Sequence, residues 1–195
     1  MRKIAVALVI LTAVALGGAA GAGAAWLRTA KAGDVGGRGP GPWRTLAGAG
    51  EAKASAYQRA VIARTGIWAL PQSEVIYFVS ENDSDGRPLD ARCTYEVAGP
   101  PMTLARWWSL GVYKDYFWID NPRDRYSFTK TNVTRDATGR YRVLLSPTPQ
   151  AGDWLPLGDK PGRLTLMYRM YQPAPSVARN PEATPLPSIR RLQCA

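Results

Sequence analysis

From Glu74 onward the apolar residues recur at every second position, and this alternation restricts the larger part of the chain to β-structure. Val75, Tyr77 and Val79 fall on one face of a strand and Ile76 and Phe78 on the other, so this strand is expected to be buried on both sides. Further strands are expected at Cys93–Val97, Leu104–Tyr113, Tyr116–Ile119, Tyr126–Lys130, Arg140–Ser146 and Arg163–Tyr171, with a short edge strand at Ile189–Leu192. Turn signals separate them, among them Asn82-Asp83-Ser84-Asp85-Gly86, Asn121-Pro122-Arg123-Asp124-Arg125 and Thr138-Gly139. Strands at this short spacing specify a mainly β fold, a jelly-roll-like β-sandwich. Ser146–Pro161 reads as a proline-broken loop carrying Trp154. Gln172–Pro187, with five prolines, reads as an extended surface arm.

The densest aromatic stretch is Ala105–Phe128, which holds Trp107, Trp108, Trp118, Tyr113, Tyr116 and Tyr126 around the polar Asn121–Arg125 turn. Adjacent residues of a strand point to opposite faces, so one of Trp107 and Trp108 enters the core. The other lies on the outer face unless a second layer covers it, such as a helix expected over Glu51–Arg64. That segment lacks Gly and Pro, carries one apolar stripe of Ala54, Tyr57, Ala60 and Val61, and ends near Gly66.

Arg2-Lys3 precedes the uncharged run Ile4–Leu27, long enough to span a hydrocarbon layer of about 30 Å at about 1.5 Å per residue. The basic N-terminus favours the cytoplasmic side, which directs the rest of the chain outward. Two readings stand. An uncleaved signal anchor closed by Trp26 is preferred, because the run exceeds the roughly 7–15-residue core of a signal peptide. A cleaved signal peptide with its site at Ala20-Gly21-Ala22 or Ala22-Gly23-Ala24 is the alternative. The chain divides into residues 1–27 as anchor, 28–50 as a Gly/Pro-rich linker from which Trp43 docks on the domain, and 51–195 as the folded β-domain.

The net charge is +10, but single arginines lie scattered among aromatics and prolines rather than in runs, so no nucleic-acid partner is expected. The chain has no histidine, which rules out a Ser-His-Asp triad and removes the commonest metal ligand. Asp83-Ser84-Asp85-Gly86 resembles the start of a calcium loop, but its twelfth position is Thr94 instead of a bidentate Glu, and a turn is the better reading. Asp115, Asp120, Asp124 and Glu96 offer acid pairs for a hydrolase, yet they sit beside Lys114, Arg123 and Arg125 as solvated turn charges. No catalytic residue, metal or cofactor is assigned. In an oxidising compartment, Cys93 and Cys194 form a bridge tying the C-terminal tail to the β-domain.

The candidate ligand- or partner-binding residues are Trp107, Trp108, Asn121, Arg125, Tyr126, Trp154 and Arg169. An outward tryptophan beside polar turn residues suits a sugar ring or a partner's proline-rich arm. Arg169 lies within an apolar strand and needs a partner, for which Glu74 and Asp120 are candidates.

The segments YQRAVIARTGIWALPQSEVIY, DGRPLD with CTYEV, RWWSLGVYKDYFWIDNPRDRYSF, SPTPQAGDWLPL and GRLTLMYRMYQP resemble, in order and spacing, the bacterial DUF1214 family, an uncharacterised domain. The resemblance runs from about Trp43 to about Leu192. It implies the same β-sandwich. Together with the N-terminal run read as an anchor, the expectation is a bacterial inner-membrane protein, single-pass, with its domain in the periplasm, or a protein secreted to the periplasm if that run is cleaved. In larger relatives this domain follows a companion, DUF1254, which implies a separate DUF1254-like partner here. The functional expectation is a non-catalytic interaction module. The alternatives are a glycan- or cell-wall-binding domain and an Asp/Glu-dependent hydrolase.

Overall fold

The computed structural model describes residues 2–30, 37, 39–46, 48–64, 67–115 and 117–194. The expected roles of Gly66 and Tyr116 lie outside these residues. Helix α1 (Arg2–Ala30) has 29 residues, none of them buried, and is long and apolar enough to cross a membrane. Strand β1 (Arg44–Thr45) is followed by α2 (Ala56–Arg64), then β2 (Val75–Ser80), β3 (Cys93–Gly99), β4 (Ala105–Lys114), β5 (Phe117–Trp118) and β6 (Ser127–Thr129). After these come β7 (Tyr141–Ser146), β8 (Trp154–Pro156), β9 (Leu164–Pro173), α3 (Pro175–Arg179), a 3-10 turn at Pro181–Ala183 and β10 (Ser188–Cys194).

The strands form two sheets. One has the order β1-β2-β9-β4-β5, with β6 also paired to β4. The other has the order β10-β3-β7-β8. Their facing sides make one core, in which Phe78, Trp108, Leu110, Leu166 and Tyr168 meet Tyr95, Val97, Val143, Leu145 and Ile189. The expected mainly β sandwich is present. Trp108, only 1% exposed, stacks on Tyr141 at 4.7 Å and on Tyr168 at 5.3 Å, so three rings from three strands join the sheets. Burial raises the phenols of Tyr141 and Tyr168 well above their ordinary values. Gly99 makes room for this stack, since a Cβ there would lie 2.2 Å from the Tyr141 ring.

The outer side of the six-stranded sheet carries a second apolar cluster. Val75, Tyr77, Tyr113 and Met167 pack with Ala49, Leu46, Ile62, Ile67 and Ala69. The period-two strand at Val75 is therefore buried on both sides, as its alternation predicts. Helix α2 starts at Ala56 rather than Glu51, and a capping box explains the boundary. The Gln58 N–H donates to Ser55 Oγ at 3.2 Å, and Ser55 N–H donates to Gln58 Oε1 at 2.9 Å. Trp43 is buried and its indole N–H donates to the Pro187 carbonyl at 2.7 Å, while β1 pairs with β2.

Two expectations are corrected. The Ser146–Pro161 segment contains β8, which runs parallel to β7, and the Trp154 indole N–H bonds the Ser146 carbonyl at 3.0 Å. The Gln172–Pro187 tail is not an extended arm. Pro175 and Pro181 open a short helix and a 3-10 turn, where a missing N–H costs nothing, and Val177 and Thr184 are buried. The tail then becomes a full edge strand, β10, and Cys194 sits in register with Cys93 and is bonded to it.

Candidate functional site

The Asn82–Gly86 turn binds itself and the last strand. Asp83 is buried, and its Oδ1 accepts the Asp85 and Arg87 N–H groups at 3.1 and 2.9 Å. Its Oδ2 meets Arg87 Nε at 3.0 Å and Arg191 Nε at 3.3 Å, so this carboxylate pins β10 rather than presenting itself to a ligand. Glu96 lies on the four-stranded sheet between Arg190 at 2.9 Å and Arg142 at 3.5 Å. It is thus on the opposite sheet from Asp115 and forms no acid pair with it. Beside it, Arg135, Arg140, Arg142 and Asp153 line an open cavity of about 500 Å³.

The outer side of the six-stranded sheet brings the aromatic residues together. Antiparallel register places Trp107 opposite Tyr171, Ser109 opposite Arg169 and Gly111 opposite Met167. Trp107 is half-buried, its ring edge-on to Tyr171 at 5.0 Å. Trp118 reaches back from β5, stacks on Tyr113 at 4.3 Å and lies 5.5 Å from Tyr126. Residue 111 is glycine, and a Cβ there would stand 3.2 Å from the Trp118 ring, closer than ordinary contact. Arg169 Nη2 donates to the Tyr113 hydroxyl at 2.6 Å. Burial raises the Tyr113 phenol above its ordinary value, against the opposing pull of Arg169. Tyr126 donates to Asp124 Oδ1 at 3.2 Å, and lost hydration together with this carboxylate raises its phenol too.

The candidate residues therefore divide. Trp107, Arg125, Tyr126 and Arg169 lie on or beside this face. Trp108 is in the core and cannot meet a ligand. Asn121 is buried and pins its own turn: its Nδ2 donates to the Ile119 and Arg125 carbonyls at 3.0 and 3.2 Å, and its Oδ1 accepts the Arg123 and Arg125 N–H groups at 3.2 Å. Trp154 is buried under the Arg123 guanidinium, 5.4 Å away. Arg125 lies over the Phe128 ring at 5.0 Å. The partner of Arg169 is Tyr113, not Glu74 or Asp120, because register places the phenol within reach on the same face.

Sequence reasoning passed over Tyr113, Trp118 and Tyr171 as packing. The signal for them was Gly111, a glycine in a strand beside large aromatics. A serine–lysine dyad is not expected from the sequence for want of S-x-x-K spacing, but Ser127 and Lys130 do stand at that spacing. Residues three apart on a strand face opposite ways, and Lys130 Nζ is bound to the Arg106 and Ala105 carbonyls at 2.8 and 3.5 Å.

Comparison with known proteins agrees with the fold. The VPA0106 protein from Vibrio parahaemolyticus, a solved structure, matches with a TM-score of 0.58 and 22% identity over 72% of this chain and 36% of that one. An uncharacterised protein from Burkholderia cenocepacia matches with a TM-score of 0.39 and 20% identity over 63% of this chain and 30% of that one. The chain thus spans about a third of the length of these structures. No curated protein matches. A family model, described as a protein of unknown function (DUF1214), matches residues 74–175, from the start of the first long strand to the start of α3. That span is more than half of the chain, and with the two-sheet fold it means that this protein belongs to the DUF1214 family.

Proposed function

We propose that this protein is a membrane-anchored cell-envelope module that binds a partner protein through the outer face of its six-stranded sheet, without catalysis. One observation carries the reading. Leu46, Ala49, Ile62, Ile67 and Ala69 cover part of that face, yet at its β5 end Trp118, in register with Tyr113, is 48% exposed. A large exposed aromatic on a rigid sheet, with Tyr126 beside it and Phe117, 75% exposed, on the other side of the same edge strand, has the character of an interface anchor. The apolar α1 supports the anchor and the Cys93–Cys194 bridge supports an oxidising compartment, the periplasm.

The partner proposed is a DUF1254-like protein. The resemblance implies that companion, and the matched VPA0106 structure carries this domain as about a third of a longer chain. A glycan reading has weaker support, since Tyr113 already occupies one face of the Trp118 ring.

The test is purification of the tagged full chain from membranes in detergent. A DUF1254-like protein identified by mass spectrometry should co-elute with the wild type and be lost from F117A/W118A, whose circular dichroism should be unchanged. A chain that always elutes alone, or a variant that retains the partner, defeats the reading.

A further inference from the structure

Trp68 is 95% exposed, the most exposed large hydrophobic side chain among the described residues. It sits on a firm mount. The following residue pair is locked to the Gly50 turn, where a Cβ would lie 2.2 Å from the Leu70 carbonyl carbon, and the Leu70 N–H donates to the Tyr77 hydroxyl at 3.0 Å. Beside it, α2 and residues 67–69 enclose an open, mainly apolar groove of about 550 Å³ lined by Ala54, Ile62, Ile67 and Trp68.

This region is tied to the end of α1. Tyr57 donates its hydroxyl to the Arg28 carbonyl at 3.1 Å. Arg64 donates to the Trp26 carbonyl at 3.4 Å and to Thr29 Oγ1 at 3.3 Å, and its guanidinium lies 3.8 Å from the centre of the Trp26 ring. Trp26 is the second-last residue of the uncharged run Ile4–Leu27, which spans about 36 Å at about 1.5 Å per residue. A membrane crossed by that run places Trp26 at the boundary between hydrocarbon and headgroups. Helix α2 has nine residues and so extends only about 14 Å from end to end. All of it then lies near that boundary.

The charge of the region suits an anionic surface. Lys53, Arg59 and Arg64 are exposed, while Glu51 is engaged by the Gln72 N–H at 2.8 Å. We propose that α2 and residues 67–70 rest on the bilayer that α1 spans, with Trp68 and Leu70 in the interfacial layer of the outer leaflet and Lys53 and Arg59 on its anionic headgroups. The proposal rests on the anchor reading above. It assigns this surface to lipid rather than to the partner protein, which keeps the β5 end of the sheet.

The test uses the full chain reconstituted into vesicles of phosphatidylcholine and phosphatidylglycerol, with acyl chains brominated near the headgroup. The W26F variant removes the contribution of the anchor's own indole, and W26F/W68F removes Trp68 as well. The bromine-quenched emission of W26F should fall by about half in W26F/W68F, as for an interfacial indole. In a W26F background, K53Q/R59Q should lower the quenching on mixed vesicles and leave it unchanged on pure phosphatidylcholine. Equal quenching in W26F and W26F/W68F, with aqueous acrylamide quenching Trp68 instead, overturns the proposal and leaves the anchor intact. Failure of the chain to float with the vesicles overturns the anchor reading itself.

Discussion

The Arg169 guanidinium donates to the Tyr113 hydroxyl at 2.6 Å across the β9–β4 pair, and this bond satisfies a half-buried cation without a carboxylate. The same phenol ring supports Trp118, so the bond orders the exposed aromatic end of the sheet. Tyr113→Phe is expected to cost about 1.5–3 kcal/mol, the range for a hydrogen bond to a charged group. A double-mutant cycle with Arg169→Met, followed by urea denaturation in detergent, should give a coupling of about 1 kcal/mol. Additive single costs mean that the bond contributes nothing.

Two adjacent tryptophans should respond very differently. Trp108→Ala removes the ring on which both Tyr141 and Tyr168 stack and should cost about 3–5 kcal/mol. Trp107→Ala removes a half-buried ring with one edge contact and should cost less than about 2 kcal/mol. Denaturation midpoints of the two variants decide it, and similar losses contradict the assignment of Trp108 to the core.

The Cys93–Cys194 bond closes a loop of 101 residues between neighbouring strands. Its loss should cost up to about 4–5 kcal/mol in the chain-entropy model. Hydrogen exchange should rise first in β10, an edge strand whose remaining ties include the Ser84 and Asp83 contacts. Thiol titration of the folded, exported protein should find no free cysteine; two free thiols refute the bridge.

Stability should fall at both ends of the pH scale. The Arg92 guanidinium and backbone N–H hold the Asp90 carboxylate at about 2, against 3.8 ordinarily. A depressed folded value means that this contribution is complete above about pH 4 and is lost as pH falls through about 2. Asp90→Asn should flatten that acid slope. Tyr141 and Tyr168 are raised by burial, so the unfolded chain releases their protons first. Their contribution is complete below pH 10 and lost as pH rises beyond it. Urea midpoints measured across pH test both signs, and a rise in stability above pH 10 contradicts the buried phenols.

Much of the fold was legible because it is written in short-range patterns. Period-two alternation located the long strands, turn residues marked their ends, and the uncharged N-terminal run marked α1. Alternation also says that Trp107 and Trp108 face opposite ways. It cannot say which faces inward, because that depends on Tyr141 and Tyr168, which arrive from later strands. The same holds for Arg169, whose partner is chosen by the β4–β9 register, and for Asn121, whose amide serves its own turn once Ile119 is buried. Strand β8 and the α3 turn were missed because proline-rich segments carry no periodic signal. Local pattern thus specifies the element types, the two-layer β class and the apolar N-terminal helix. Tertiary structure decided which aromatic residues are core and which are surface, since contacts between residues far apart in the chain leave no trace in local spacing.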